Sequence, residues 1–199
     1  DARLAVKNVS TGFLHFMVGP RTRSLRGQSV AYGFFSHTPS ERWKDLLEGH
    51  LKKERAVLLE CNAESHDALT GMSQVIPMLT ALVDGQLWSQ GGARLSQALQ
   101  MAGPPCWLQS YGAIRNLSQG SIVANILVNH PHAKRIIREA ILALEEIYAA
   151  CCADDVHALE RMAGTGLGVL SKTEIDAIKD STEWHVRMEG DLRGGAVRL

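Results

Sequence analysis

The chain has 199 residues, enough to bury a substantial core in one domain or two small ones. Lys plus Arg and Asp plus Glu both number 21, so no net basic charge points to nucleic acid or an acidic membrane as partner. No apolar run approaches the roughly 20 residues that a membrane helix needs, and DARLAVKNVS at the start has no signal-peptide apolar core. The expectation is a cytoplasmic protein without nucleic-acid or membrane partners. Cys61, Cys106, Cys151 and Cys152 form no disulfide framework, and two adjacent cysteines in a helix pair poorly with each other, which favours reduced thiols.

In chain order, TGFLHFMV (11–18) reads as a strand that stops at Gly19-Pro20, and QSVAYGFF (28–35) as a second. Ser40 suits the N-cap of a helix over SERWKDLLEGHLKKE, with Trp43, Leu46, Leu47 and Leu51 on one face. AVLLE (56–60) reads as a third, buried strand. This β-β-α-β order fits the closing part of a larger α/β sheet and is too short for a complete doubly wound domain.

From Glu64 onward the pattern is helical. Ser65 is a candidate cap for a helix to about Trp88, kinked at Pro77, and a short helix covers Ala93–Met101. Gly103–Asn129 then reads as one long helix, opened by Pro104-Pro105 and ended by His130-Pro131. Ala133–Cys151 is strongly periodic, with Ile136, Ile137, Ile141, Leu142, Leu144 and Ile147. Helices over Asp155–Met162 and Lys172–Asp191 complete the chain. The fold class expected is α+β or mainly α: an α/β segment over residues 1–63, then an all-helical domain over 64–199. So many apolar helix faces predict that the helical half forms a homodimer.

Several residues carry candidate chemistry. Leu108, Tyr111, Arg115, Ser118 and Ile122 follow at helical spacing, which puts the Arg115 guanidinium on or beside the buried stripe. A permanent charge there needs a carboxylate or phosphate, either an internal Asp or Glu or a bound anion. Tyr111 is core packing or a pocket wall. Ser118 faces the same pocket or bonds its own helix. His15 lies near the carboxyl end of the first strand, where open α/β sheets place ligands. His66 and Asp67 sit at a helix start, where an acidic residue favours the positive end of the dipole. Cys151, Cys152, Asp154, Asp155 and His157 cluster like metal ligands, but their spacing is repeated nowhere, so no metal is expected. GTGLGVL from Gly164 lies between helices instead of after a strand, and so fails as a nucleotide loop.

These motifs resemble the prephenate dehydrogenase family of tyrosine biosynthesis. Pro105 with Arg115, Ser118 and Gln119 matches P-x-x-x-x-x-x-x-x-x-R-x-x-S-Q of its helical domain. LHFMVGPRTRSLRGQ is similar to its H-P-M-F-G-P stretch at His15, Met17, Gly19 and Pro20, with Ser24-Leu25 and Gln28 following. AESHDALTGMSQVIPML resembles its E-H-D helix start at His66, Asp67 and Gln74. Phe16 replaces the family's proline, and Met78 a histidine that lines the active site in many members.

The resemblance implies a Rossmann-like segment followed by a helical dimerisation domain, acting in oxidative decarboxylation of prephenate or arogenate. It implies NAD or NADP as hydride acceptor, His15 as the catalytic histidine at the ring hydroxyl, and Arg115 as the carboxylate-binding residue. Tyr111 and Ser118 are further substrate-binding candidates, and His15 and Arg115 are expected to converge on one cavity. The ligand implied is a prephenate-like dicarboxylate. The family's glycine-rich cofactor segment lies upstream, so the chain reads as cut within the nucleotide domain and its cofactor-binding residues are unknown. The alternatives are a non-redox binding or dimerisation module, or a cofactor-independent enzyme, that keeps the same pocket.

Overall fold

A computed structural model describes residues 12–17, 23–34, 41–91, 97–98, 101 and 103–183. The chain divides into two compact units, Asp1–Met72 and Ser73–Leu199. The described residues are mostly helical with one small sheet, in keeping with a mainly-α or α+β class.

In the first unit, β1 (Gly12–Phe16), β2 (Ser29–Phe34) and β3 (Val57–Glu60) form a sheet in that order. β1 pairs antiparallel with β2, with His15 opposite Ala31. β2 pairs parallel with β3, with Ala31 opposite Leu59. A parallel pair needs a crossover, and α1 (Glu41–Lys53) supplies it. Ser40, the expected cap, lies outside the described residues.

α1 buries only half of the expected face: Leu51 is buried and Leu47 partly covered. Trp43 (68% exposed) and Leu46 point to solvent, while Lys44, Leu47, Glu48 and Leu51 are the better covered positions. The reason is polar: Tyr32 Oη donates to Glu48 Oε1 at 2.6 Å, and Lys44 Nζ donates to Glu60 Oε2 at 2.6 Å. Those bonds, with Leu51 buried beside them, select a neighbouring stripe of the helix. Burial, the bond to Glu48 and the charges of Glu48 and Glu60 raise the Tyr32 phenol well above its ordinary value, so it stays a donor. β3 is likewise not the buried strand expected. It lies at the sheet edge, and Val57 and Leu59 are exposed. α1 ends at Arg55, which takes a left-handed φ of 59° while Ala56 N–H bonds back to the Leu51 carbonyl at 3.0 Å.

α2 (Ala63–Thr70) is capped by Asn62, whose side chain accepts from Ser65 N–H at 2.8 Å, and not by Ser65 itself. A π turn follows (Gly71–Val75), then α3 (Ile76–Gly91). The expected disturbance at Pro77 therefore takes the form of a widened turn just before it. Pro77 has no N–H for the Ser73 carbonyl one α-turn earlier, so the regular ladder cannot run through this point. The boundary between the two units falls inside this turn.

In the second unit, the expected long helix is two: α4 (Pro104–Leu117) and α5 (Gly120–Asn129). They part at Ser118-Gln119, where Ser118 Oγ donates to the Arg115 carbonyl at 2.7 Å and Gln119 leaves helical geometry (φ −111°, ψ 39°). His130, held extended before Pro131, ends α5. α6 (Ala133–Cys152) follows, then α7 (Val156–Leu167), capped by Asp155. α7 runs past Met162 through Gly164 and Gly166, so GTGLG is helix and not a connection between helices. Residues 172–183 form α8. The expected helix over 93–101 falls largely outside the described residues, as does everything after 183. The core here joins Val75, Ala133 and Ile136, with Ile126 and Leu127 packed against them. α3 and α4 approach closely at Gly85, where a Cβ would meet Leu117 Cδ1 at 3.0 Å.

The tightest backbone approach in the first unit is at Gly33. A Cβ there would lie 2.0 Å from the Cys61 carbonyl oxygen and 2.6 Å from Phe13 Cε1. Gly33→Ala is expected to destabilise the chain by about 1–3 kcal/mol or more, because the obstacle includes backbone. Gly49→Ala, in the interior of α1 with open space around it, is expected to stabilise by up to about 1 kcal/mol. Urea unfolding midpoints of the two variants, moving in opposite directions, check both.

Candidate functional site

The two faces of the sheet are unlike. Alternation places Val30, Tyr32 and Glu60 toward α1, whose Glu48 accepts from Tyr32 and whose Lys44 donates to Glu60. Phe13, His15, Ala31 and Gly33 belong to the opposite face. The chain leaves β3 through Cys61, whose N–H continues the ladder to the Tyr32 carbonyl at 2.9 Å, and Asn62 then starts α2. One turn into α2, His66 reaches β1: its ring lies 5.1 Å from Phe13 and 5.0 Å from His15, centre to centre.

His15 Nδ1 and His66 Nε2 are 2.8 Å apart, and His66 Nδ1 lies 3.1 Å from Asp67 Oδ1. His15 and His66 are partly buried, whereas the Asp67 carboxylate keeps contact with water. This chain of groups runs Asp67–His66–His15. An ionised carboxylate only accepts hydrogen bonds, so His66 Nδ1 carries the proton in that contact. Bonded in this way to Asp67 Oδ1, His66 is held one turn inside α2, where Thr70 Oγ1 also donates to its carbonyl at 2.8 Å.

The strand-end rule does not account for the place of His15. β1 is antiparallel to β2, so its carboxyl end lies beside the amino ends of β2 and β3. What distinguishes His15 is its polar partner on α2. Sequence reasoning marked His66 and Asp67 only as a helix start. The pattern carried no sign of a pairing across 51 positions.

Arg115, Tyr111 and Ser118 share α4 in the second unit. The covered positions of α4 are Leu108, Ser110, Ala113, Asn116 and Leu117, with Ala113 buried. Arg115 is exposed, Tyr111 is 50% exposed and Ser118 is exposed, so of the predicted stripe on α4 only Leu108 is partly covered and the rest faces outward. α3 packs on this side through Gly85, whose missing side chain leaves room for Leu117, so Leu117 is covered where larger outward residues are not. The Arg115 guanidinium makes no hydrogen bond or ion pair among the described residues. Ser118 turns its hydroxyl onto its own helix, to the Arg115 carbonyl.

In the Cys151–His157 cluster, Asp155 caps α7 by accepting from Ala158 N–H at 2.8 Å, and His157 Nδ1 lies 3.0 Å from Glu160 Oε2. Among the described residues no group of metal-ligating side chains forms a site, and all four cysteines are free thiols. No described helix is long and apolar enough to cross a membrane. No protein family matches the chain, and no curated protein is significantly similar to it.

Burial, and after it the neighbouring His66, hold His15 below its ordinary value of 6.5. Its unfolded form therefore takes a proton first as pH falls, so its contribution to stability is complete above 6.5 and is lost from there down to the folded value. Denaturant midpoints are expected to fall between about pH 7.5 and pH 5.5, and His15→Gln is expected to flatten that slope.

Proposed function

We propose that the chain is prephenate dehydrogenase-like, with the three-stranded sheet as the closing part of a Rossmann-like nucleotide domain and the helices as its dimerisation and substrate domain. The observation that carries this reading is the meeting of two motif histidines. His15, from LHFMVGP, and His66, from AESHD, are hydrogen-bonded although 51 positions separate them. Two matches to one family that are independent in sequence thus meet at one place in the fold.

In this reading the substrate is prephenate, arogenate or a related dicarboxylic acid. His15 is the base at the ring hydroxyl. Arg115 is the cation for a carboxylate, exposed and without a carboxylate partner among the described residues. It is also the only Lys, Arg, Asp or Glu between Arg94 and Lys134. A guanidinium with no internal use and no competing acid nearby in sequence suits an anion ligand.

The crossover β2–α1–β3 does not fit the pyrophosphate of NAD or NADP. Its Phe35–Ser40 connection has no glycine and leads into acidic Glu41, where a phosphate needs bare backbone amides at a helix start. No hydride step is therefore assigned to these residues.

Calorimetric titration of the chain with prephenate tests this reading. Arg115→Ala is expected to weaken binding by about 2–5 kcal/mol, and Arg115→Lys by less, because charge remains and the bidentate fork is lost. Neither is expected to move the unfolding midpoint, since Arg115 is exposed and supports no described contact. No binding by the unmodified chain would overturn the proposal.

The helical unit is proposed to form a homodimer. α6 buries Ala133, Ile136 and Ala150 but leaves Ile141, Leu144 (53% exposed) and Tyr148 (71% exposed) on a stripe at spacings of three and four. Sedimentation is expected to give a dimer, and Leu144→Asp with Tyr148→Asp a folded monomer. A monomeric unmodified chain at about micromolar concentration would defeat this part, because an obligate interface typically buries above about 2,000 Å² and holds at that level.

A further inference from the structure

The bond between His15 and His66 fixes more than their separation. At 2.8 Å, one proton lies between His15 Nδ1 and His66 Nε2: two protons would collide and none would leave two lone pairs opposed. His66 Nδ1 already holds a proton toward Asp67 Oδ1. A neutral His66 therefore has a bare Nε2, and the shared proton belongs to His15 Nδ1. Neutral His15 is then left with a bare Nε2, the less common tautomer of a free imidazole and the one that presents a base away from α2.

We propose that His66 and Asp67 are positioning residues that set His15 as an Nε2 base and accept the positive charge when it takes a proton. The proposal rests on the reading of His15 as the base. A proton leaving a substrate hydroxyl forms a bond to His15 Nε2, and its electron pair stays on the substrate oxygen. The His15 Nδ1 proton crosses to His66 Nε2, which leaves His15 neutral and makes His66 an imidazolium beside the Asp67 carboxylate. One proton has been gained in total, and no oxidant or further reactant is involved. The charge ends on the ring next to the carboxylate instead of the ring next to the substrate.

The groups around His15 allow this. From α2 it faces His66 and, through it, Asp67. From β2 its register partner is Ala31, and on its own strand and face Phe13 and Met17 flank it, none of which titrates. Cys61, near Gly33, is a thiol that burial keeps protonated, so it adds no charge.

Imidazole nitrogen NMR of the unliganded, histidine-labelled chain above neutral pH is the test. His15 is expected to be protonated at Nδ1 and bare at Nε2. His66→Phe is expected to return it to the common Nε2–H form, and His66→Gln, whose amide carbonyl still accepts a proton bond, to restore the Nδ1–H form. Asp67→Asn is expected to give a mixture of tautomers, because His66 Nδ1 loses its charged acceptor. If His66→Phe does not fold, the unmodified chain and Asp67→Asn still decide. Nε2–H on His15 in the unmodified chain, or tautomers that ignore Asp67→Asn, would overturn the relay. The readout needs no substrate: a chain with the expected tautomers that fails to bind prephenate would remove the functional reading and leave the relay standing.

Discussion

The geometry of the first unit depends on a missing methyl group. The Cys61 carbonyl closes over Gly33 at a distance that no side chain permits. That approach lets the chain leave β3, continue the ladder for one residue and turn at Asn62 onto the face of the sheet that α1 does not cover. Were Gly33 larger, Cys61 would have to lift away and Phe13 would lose its place. His66, three positions beyond the Asn62–Ala63 start, would move with them. The position of an imidazole on α2 is thus set by a glycine in the central strand.

What this arrangement gives is a polarised row of groups in place of a lone histidine. A carboxylate in contact with water, a partly covered ring and a second partly covered ring define a direction along which a proton's charge is progressively better accommodated toward Asp67. Burial of His15 alone would disfavour its charged form and weaken it as a base. The neighbouring His66 lowers its pKa further, so under the proposed relay the charge rests on His66 beside Asp67 and not on His15. The same desolvation that lowers His15 therefore favours a relay over a single ring.

The elements were largely legible from residue patterns, and their partners were not. Periodicity finds α6, the Asn129–Pro131 stop and the β-β-α-β order because these are written in short-range spacing. It misplaced the covered faces of α1 and α4. In α1 the deciding terms are Tyr32 to Glu48 and Lys44 to Glu60, bonds between residues 16 positions apart, and hydrophobicity alone prefers Trp43 and Leu46. In α4 the deciding contact is Leu117 in the space that Gly85 of α3 leaves open, which a count of large apolar residues overlooks. His15 and Arg115 stood out by residue type and motif. His66 became meaningful only once the strand register and the turn at Gly33 had brought it to His15.

The outer face of α4 and the outer stripe of α6 need different companions. Arg115 keeps its hydration where it is, and only a ligand that supplies negative charge can compensate for removing that water. Ile141, Leu144 and Tyr148 gain from any apolar surface that excludes water and have no charge to satisfy. A single partner that covered both faces would have to bring an anion to one and none to the other. Under the proposed function, a small dicarboxylic acid at Arg115 and a second apolar helix at α6 would meet the two requirements separately. That division is why the helical unit is read as serving both substrate binding and self-association, with the polar and apolar tasks assigned to different helices.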